Sequence, residues 1–368
     1  MIAASLLVLL ALPAQSPEAQ ARFNRAVELQ RSGSFAEAER EYRAVLQLAP
    51  DYAEAQANLG AVLARLDRYP EAVAAYERAL RLAPNLAQVR LNLGIAHYRK
   101  GDFPKAAEAL RTFLELSPDN AQARQLLGLA LVESGRDAEA VDVLSEVLHA
   151  APADPAALYG LGLATLRLQR AGVFAIIDRL DVTPGGKPAA HLLRGQALLG
   201  GHEFERAVAE LDQAARLEPN LPRLDYSLGL TYFKLGRSAS ALEAFTRELA
   251  RNGSDFSTLY YLAYLHEAQE NLAEARRYLE RALALDRESA EGNALLGKIL
   301  VKEGKPAEAL GPLEAAVAKD PASADRHYLL ARAYQQVGRK EDAAREFAEV
   351  QRLKKLELER DRARTPKP

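Results

Sequence analysis

Residues 53–84, AEAQANLGAVLARLDRYPEAVAAYERALRLAP, are followed two residues later by 87–118, AQVRLNLGIAHYRKGDFPKAAEALRTFLELSP, and the two stretches superpose at a spacing of 34. Both carry Leu-Gly at the seventh and eighth places (Leu59-Gly60, Leu93-Gly94), alanine at the twentieth (Ala72, Ala106) and proline at the thirty-second (Pro84, Pro118). The phase extends outward to Pro50 on one side and to Pro152, Pro219 and Pro321 on the other. Units so placed begin at residues 19, 53, 87, 121, 155, 188, 222, 256, 290 and 324, and the fifth is one residue short. In a chain made of one small unit copied end to end, each unit buries its apolar face only against its neighbours. Such a chain offers surface rather than an enclosed pocket.

The fixed places have a packing logic. Small residues at places eight and twenty, such as Gly128, Gly229, Ala140 and Ala241, suit antiparallel helices whose backbones approach closely. Large apolar residues at place twenty-four, from Tyr42 and Tyr76 to Phe245 and Phe347, fill the space between them. Ser16-Pro17 and Asp154-Pro155 set a capping side chain before a proline that opens a helix. Gly33, Gly101, Gly135, Gly236, Gly304 and Gly338 stand where each first helix ends and a left-handed residue is needed. With 49% hydrophobic and 7% aromatic residues, the chain reads as an Ala/Leu-rich, all-α protein with a real core.

This pattern resembles the tetratricopeptide repeat (TPR) over residues 19–353. The resemblance implies a right-handed superhelical solenoid of helix-turn-helix units, with a concave groove lined by each unit's first helix. One departure is at place four, where the family's bulky aromatic is replaced, for example by Gln56, Arg90 and Arg124.

Three segments stand apart from the repeat. Residues 2–12 are an unbroken apolar run ahead of Pro13-Ala14-Gln15, too short for a membrane span and suited to a signal peptide within residues 1–15, which predicts an exported protein, periplasmic or secreted. No Lys or Arg precedes Arg22, so the basic start of such a signal is missing, and an uncleaved N-terminal helix is the alternative. The chain has no cysteine, which fits export and excludes lipid attachment at the cut. In the fifth unit Phe174 falls on the small place and Asp178 on the core place, and Thr183-Pro184-Gly185-Gly186 predicts an early end to the second helix. Residues 170–188 therefore read either as a tolerated defect or as a hinge. Residues 354–368 read as a capping helix with a disordered tail.

The family resemblance places groove residues at first-helix places two, five, six, nine, twelve and thirteen. Place six is Asn24, Asn58 and Asn92 in the first three units, either a short ladder for a peptide backbone or simply the common residue there. Ile95, Tyr98, Leu129, Val132, Tyr159, Tyr226, Phe233, Tyr260 and Tyr264 give an apolar strip, and Arg31, Arg65, Arg99, Arg167 and Lys234 a basic rim. The strip reads as an interaction surface or as packing between first helices. As a surface, it predicts a protein or peptide partner with hydrophobic anchors and some acidic character.

Other chemistry finds little support. The sequence has no HExxH, CxxC or GxSxG, and Gly185-Gly186-Lys187 lacks the spacing of a phosphate loop. No catalytic residue, metal site or cofactor is expected. A net charge of −2 argues against a general nucleic-acid binder. The reading is a non-catalytic, protein-binding scaffold. The alternatives are a substrate-docking subunit of a separate enzyme and a self-associating structural protein.

Overall fold

The computed structural model describes residues 16–364 and is all-α among them. The first helices of the ten units are α1 (Pro17–Arg31), α3 (Ala53–Arg65), α5 (Ala87–Lys100), α7 (Ala121–Glu133), α9 (Pro155–Arg167), α11 (Lys187–Gly200), α13 (Leu224–Lys234), α15 (Phe256–Ala268), α17 (Ala290–Lys302) and α19 (Ala324–Gln336). Their partners are α2 (Phe35–Leu48), α4 (Tyr69–Leu82), α6 (Phe103–Leu116), α8 (Asp137–Ala150), α10 (Val173–Val182), α12 (Phe204–Leu217), α14 (Ser238–Arg251), α16 (Leu272–Leu285), α18 (Pro306–Lys319) and α20 (Lys340–Arg364). The apolar run proposed as an export signal and the last four residues lie outside the described residues. None of the described helices is long and apolar enough to cross a membrane.

The chain divides between Leu193 and Arg194 into two compact units. In the first unit α1, α3, α5, α7 and α9 touch one another in series, and in the second α15, α17 and α19 do so. Among the described residues no such series of contacts joins the second helices. Within each unit the first helices therefore form the tighter, inner layer.

Side-chain volume sets this spacing. The place-twenty alanines are buried, as are Tyr42, Tyr76, Leu110, Leu144, Leu211, Phe245, Leu279 and Leu313 at place twenty-four. A Cβ on Gly128 would lie 2.4 Å from Leu144, and one on Gly297 2.3 Å from Leu313, so these glycines let the large residue reach the facing backbone. Fully burying such a side chain contributes about 1.5–3 kcal/mol.

The turn inside each unit is uniform in a way glycine alone does not reveal. Place fifteen has positive φ in all ten units: six are the glycines named above, and the others are Asp67, Gln169, His202 and Glu270. The hydrogen bonds are those of a left-handed helix stop, as where Asp102 N–H donates to the His97 carbonyl at 2.9 Å.

The fifth unit corrects the sequence reading. Phe174 is 49% exposed and Asp178 is exposed, while Val173, Ile177 and Leu180 are buried. Each buried residue stands one place earlier than the alignment assigned, so the missing residue falls in the turn before α10 and not at its end. Gly172, at φ 94°, delays the start of α10, which has 10 residues where the other second helices up to α18 have 14. Leu193 of α11 then packs against Gly162, whose added Cβ would lie 2.3 Å away.

Place four also has a definite use. Arg90 donates to the Pro84 carbonyl at 2.7 Å, Arg124 to that of Pro118, and Asn293 to that of Arg287 at 2.9 Å, while His327 Nε2 lies 3.1 Å from the Pro321 carbonyl. These polar side chains tie the loop between units where the family's aromatic would only fill space. Leu158 and Leu259 fill it with buried aliphatic bulk.

Candidate functional site

In the first unit the three asparagines are engaged within the chain. Gln20 donates to Asn24 at 3.0 Å and Gln88 to Asn92 at 3.2 Å, while the Asn58 amide meets the Tyr42 hydroxyl. Asn24 is exposed and the other two are half-buried. Ile95, Tyr98, Leu129 and Tyr159 are half-buried on the inner layer, with Tyr98 edge-on to Phe103 at 5.3 Å. Burial pushes the Tyr98 hydroxyl up from its ordinary pKa, so it stays a neutral donor.

Val132 does not belong to the groove. It is only 2% exposed, because Gly160 lets α9 close onto α7; a Cβ there would lie 3.1 Å from Leu129 and 3.7 Å from Val132. Arg167 seals the same joint, donating to the Val132 carbonyl at 2.7 Å. Of the other rim cations, Arg65 lies over the Phe35 ring at 5.3 Å, and Arg31 and Arg99 are exposed.

The second unit gathers its predicted aromatics into one cluster. Phe233 lies 5.5 Å from Tyr264 and 5.2 Å from Tyr261; Tyr226 lies 6.4 Å from Tyr261, and Tyr260 6.4 Å from Tyr264. Tyr261, at place six, stacks on the core ring of Phe245 at 5.2 Å and so anchors the cluster. Burial pushes the Tyr260 hydroxyl up to about 12. Lys234, next to Phe233 in the chain, is exposed.

Beside the aromatics is a pocket of about 280 Å³, walled by Tyr260, Tyr264, Leu295 and Leu329 and carrying Lys298 and Arg326, with Glu291 and Asp325 also in its lining. Lys298 Nζ sits 2.8 Å from Glu267 and 5.9 Å from the Tyr264 ring centroid. Glu267 is 1% exposed and also meets Lys302 at 2.7 Å. Burial opposes its charge, but the hydrogen bonds from Lys298 and Lys302 outweigh that and hold its carboxyl below the ordinary value. A buried anion thus fixes a cation at the edge of an aromatic pocket. Glu267 and Lys298 occupy groove places twelve and nine, and a search for apolar residues passes them over, whereas Tyr261 is legible at place six. Leu295 and Leu329 were equally legible at place six.

Among the described residues no group of His, Cys, Asp or Glu is arranged to hold a metal ion. His97 is buried 3.5 Å from Asp102, where burial holds its imidazole below the ordinary value, and His327 lies 2.5 Å from Glu346 in a loop-tying role.

An inner layer of first helices carrying aromatic, aliphatic and basic side chains is the architecture of a helical-repeat interaction scaffold. Tetratricopeptide repeat models match residues 19–52, 51–119, 91–155, 192–254, 226–294 and 300–356, and the chain belongs to the tetratricopeptide repeat family. It is 28% identical over 115 residues to a Drosophila melanogaster protein described as a BBSome complex member, BBS4 homolog, a match covering 31% of this chain and 24% of that protein. The chain thus spans about a quarter of the length of that curated relative. Among solved structures, it is similar to the APC/C hetero-tetramer Cut9–Hcn1, with TM-score 0.59 and 17% identity over 91% of this chain and 73% of the other. Yeast Tom70 matches with TM-score 0.42 and 14% identity over 91% and 92%. The Cut9–Hcn1 likeness shows the shared repeat fold.

Proposed function

We propose that this chain is a non-catalytic scaffold that binds a peptide segment of a partner protein on the inner, first-helix layer, with the Tyr260/Tyr264 pocket as its principal anchor. The observation that carries this reading is the pocket itself: apolar walls for one side chain, beside Lys298 held by a buried carboxylate. Aromatic walls supply contact area at low conformational cost, and a fixed cation selects an acidic neighbour without having to be ordered on binding. The partner segment therefore has a large apolar residue next to Asp or Glu.

The test is selection of random peptides on the full chain, followed by affinity measurement against Tyr264→Ala and Lys298→Ala, with helix content checked by circular dichroism. Selected peptides sharing an apolar–acidic pair and losing about tenfold or more in affinity to each variant support the site. Peptides that bind native and variant proteins equally place recognition elsewhere.

A further inference from the structure

We propose that the first unit carries a second binding site, on the second-helix side of repeat two, for a peptide segment presenting one large apolar side chain beside a carboxylate. The site is a hollow of about 520 Å³ between α2 and α4, bordered by the Pro50 loop and floored by Gln56 and Leu59.

Its origin is a polar place-four residue that does not reach the loop as four of its counterparts do. Arg90, Arg124, Asn293 and His327 each reach the loop carbonyl six residues before them and so close the corresponding gap. Gln56 is the place-four residue of repeat two, and it neither reaches Pro50 nor makes any other side-chain hydrogen bond among the described residues. It is nonetheless only 4% exposed and lines the hollow. An occupant that covered this amide would have to supply its hydrogen-bond partners, since an amide buried without them costs about 1–3 kcal/mol. The hollow therefore has an unspent donor and acceptor at its floor and aliphatic walls from Leu46 and Leu82.

The rim selects the charge of the occupant. Arg43, Arg78 and Arg81 line the hollow against one carboxylate, Asp51. Arg43 is committed to Glu39 at 2.9 Å and Glu71 at 3.2 Å, whereas Arg78 and Arg81 enter no ion pair among the described residues. Two uncommitted guanidinium groups beside an apolar slot complement an anion attached to a hydrophobic body, since each can hold a carboxylate through paired hydrogen bonds. An arginine entering from a partner, the chemistry that closes repeats three and four, would meet three like charges here.

The chain contains no tryptophan, so indole fluorescence reports the ligand alone. The experiment titrates full-length protein carrying Tyr264→Ala and Lys298→Ala, which removes the groove pocket, into N-acetyl-Glu-Trp-Glu-amide and, separately, N-acetyl-Gln-Trp-Gln-amide, following anisotropy. The acidic peptide is expected to bind about tenfold or more tightly than its neutral counterpart. Gln56→Phe, which fills the slot, should abolish that binding while preserving helix content. Arg78→Gln combined with Arg81→Gln, both at exposed positions, should leave the two peptides equal, and this variant decides the matter if Gln56→Phe fails to fold. With the groove pocket removed in this way, equal binding of both peptides, no binding of either, or undiminished binding when a folded protein also carries Gln56→Phe would each overturn the proposal.

Discussion

The two units solve the same packing problem with different chemistry. Among the described residues the first unit buries no carboxylate; its buried polar side chains are Gln56, His97, Thr165 and Thr183. The second buries three, each clamped locally. Asp225 takes Arg247 at 2.9 Å and Arg251 at 3.3 Å, Glu248 accepts from Asn252 at 2.7 Å, and Glu267 holds Lys298 and Lys302. Each clamp lies within one repeat or between adjacent ones. In a solenoid whose stability is a sum of local terms, a charged repeat is tolerated where its own neighbours satisfy it. The difference teaches that the repeat pattern specifies backbone spacing strictly but leaves room for polar burial wherever a partner stands a turn or a repeat away.

The largest test of this comparison is truncation of the core at place twenty-four. Phe245→Ala should cost about 3–5 kcal/mol and Leu144→Ala about 2–5 kcal/mol. Native-state hydrogen exchange should show each loss concentrated in the repeats around the substitution. A uniform loss of protection along the whole chain would break the picture of locally summed stability.

A smaller effect sharpens the contrast in buried charge. Asp225→Ala should destabilise by about 1–3 kcal/mol, because Arg247 and Arg251 lose their acceptor while remaining partly solvated. Chemical denaturation measures it, and a change near zero would show that the clamp is neutral.

The pH dependence of Glu267 has a definite sign. Its folded-state pKa lies below the ordinary 4.5, so its contribution is fully present above that value and is lost as pH falls through the lower folded value. Thermal melts of native protein and Glu267→Gln at stepped pH should show the native advantage intact at neutral pH and shrinking below about 4.5. A constant difference would mean the carboxylate does not carry it.

The smallest prediction concerns a feature common to both units. Gln169 at φ 53° and His202 at φ 63° occupy the left-handed turn that glycine fills elsewhere. Gln169→Gly and His202→Gly should each stabilise by about 0.5–1 kcal/mol, the relief of backbone strain exceeding the added freedom of the unfolded chain. A fall in melting temperature would show that these side chains do more than turn the backbone.

The legible parts of the molecule were those set by contacts within one unit. Leu59-Gly60 and Ala72 mark a helix pair because the close approach they permit is local, and it recurs every 34 residues. The fifth unit was misread because an alignment anchored on Leu161-Gly162 and Pro152 cannot place a deletion within the turn between them and the next helix; burial of Val173, Ile177 and Leu180 does so. Val132 was misassigned because its exposure depends on Gly160, one repeat further on. Nothing local marks Glu267 as buried, because Lys298 and Lys302, which close over it, come from the next repeat.

The sequence by itself determined the family, the all-α repeat fold, the phase of the units and the residues that space their helices, because helix periodicity and steric fit between paired helices act over a few turns. Only the tertiary structure decided which groove positions stay open, where carboxylates are clamped and where a place-four side chain leaves a hollow. Those outcomes depend on how a side chain from one repeat meets the next, and that meeting is a property of the packed array.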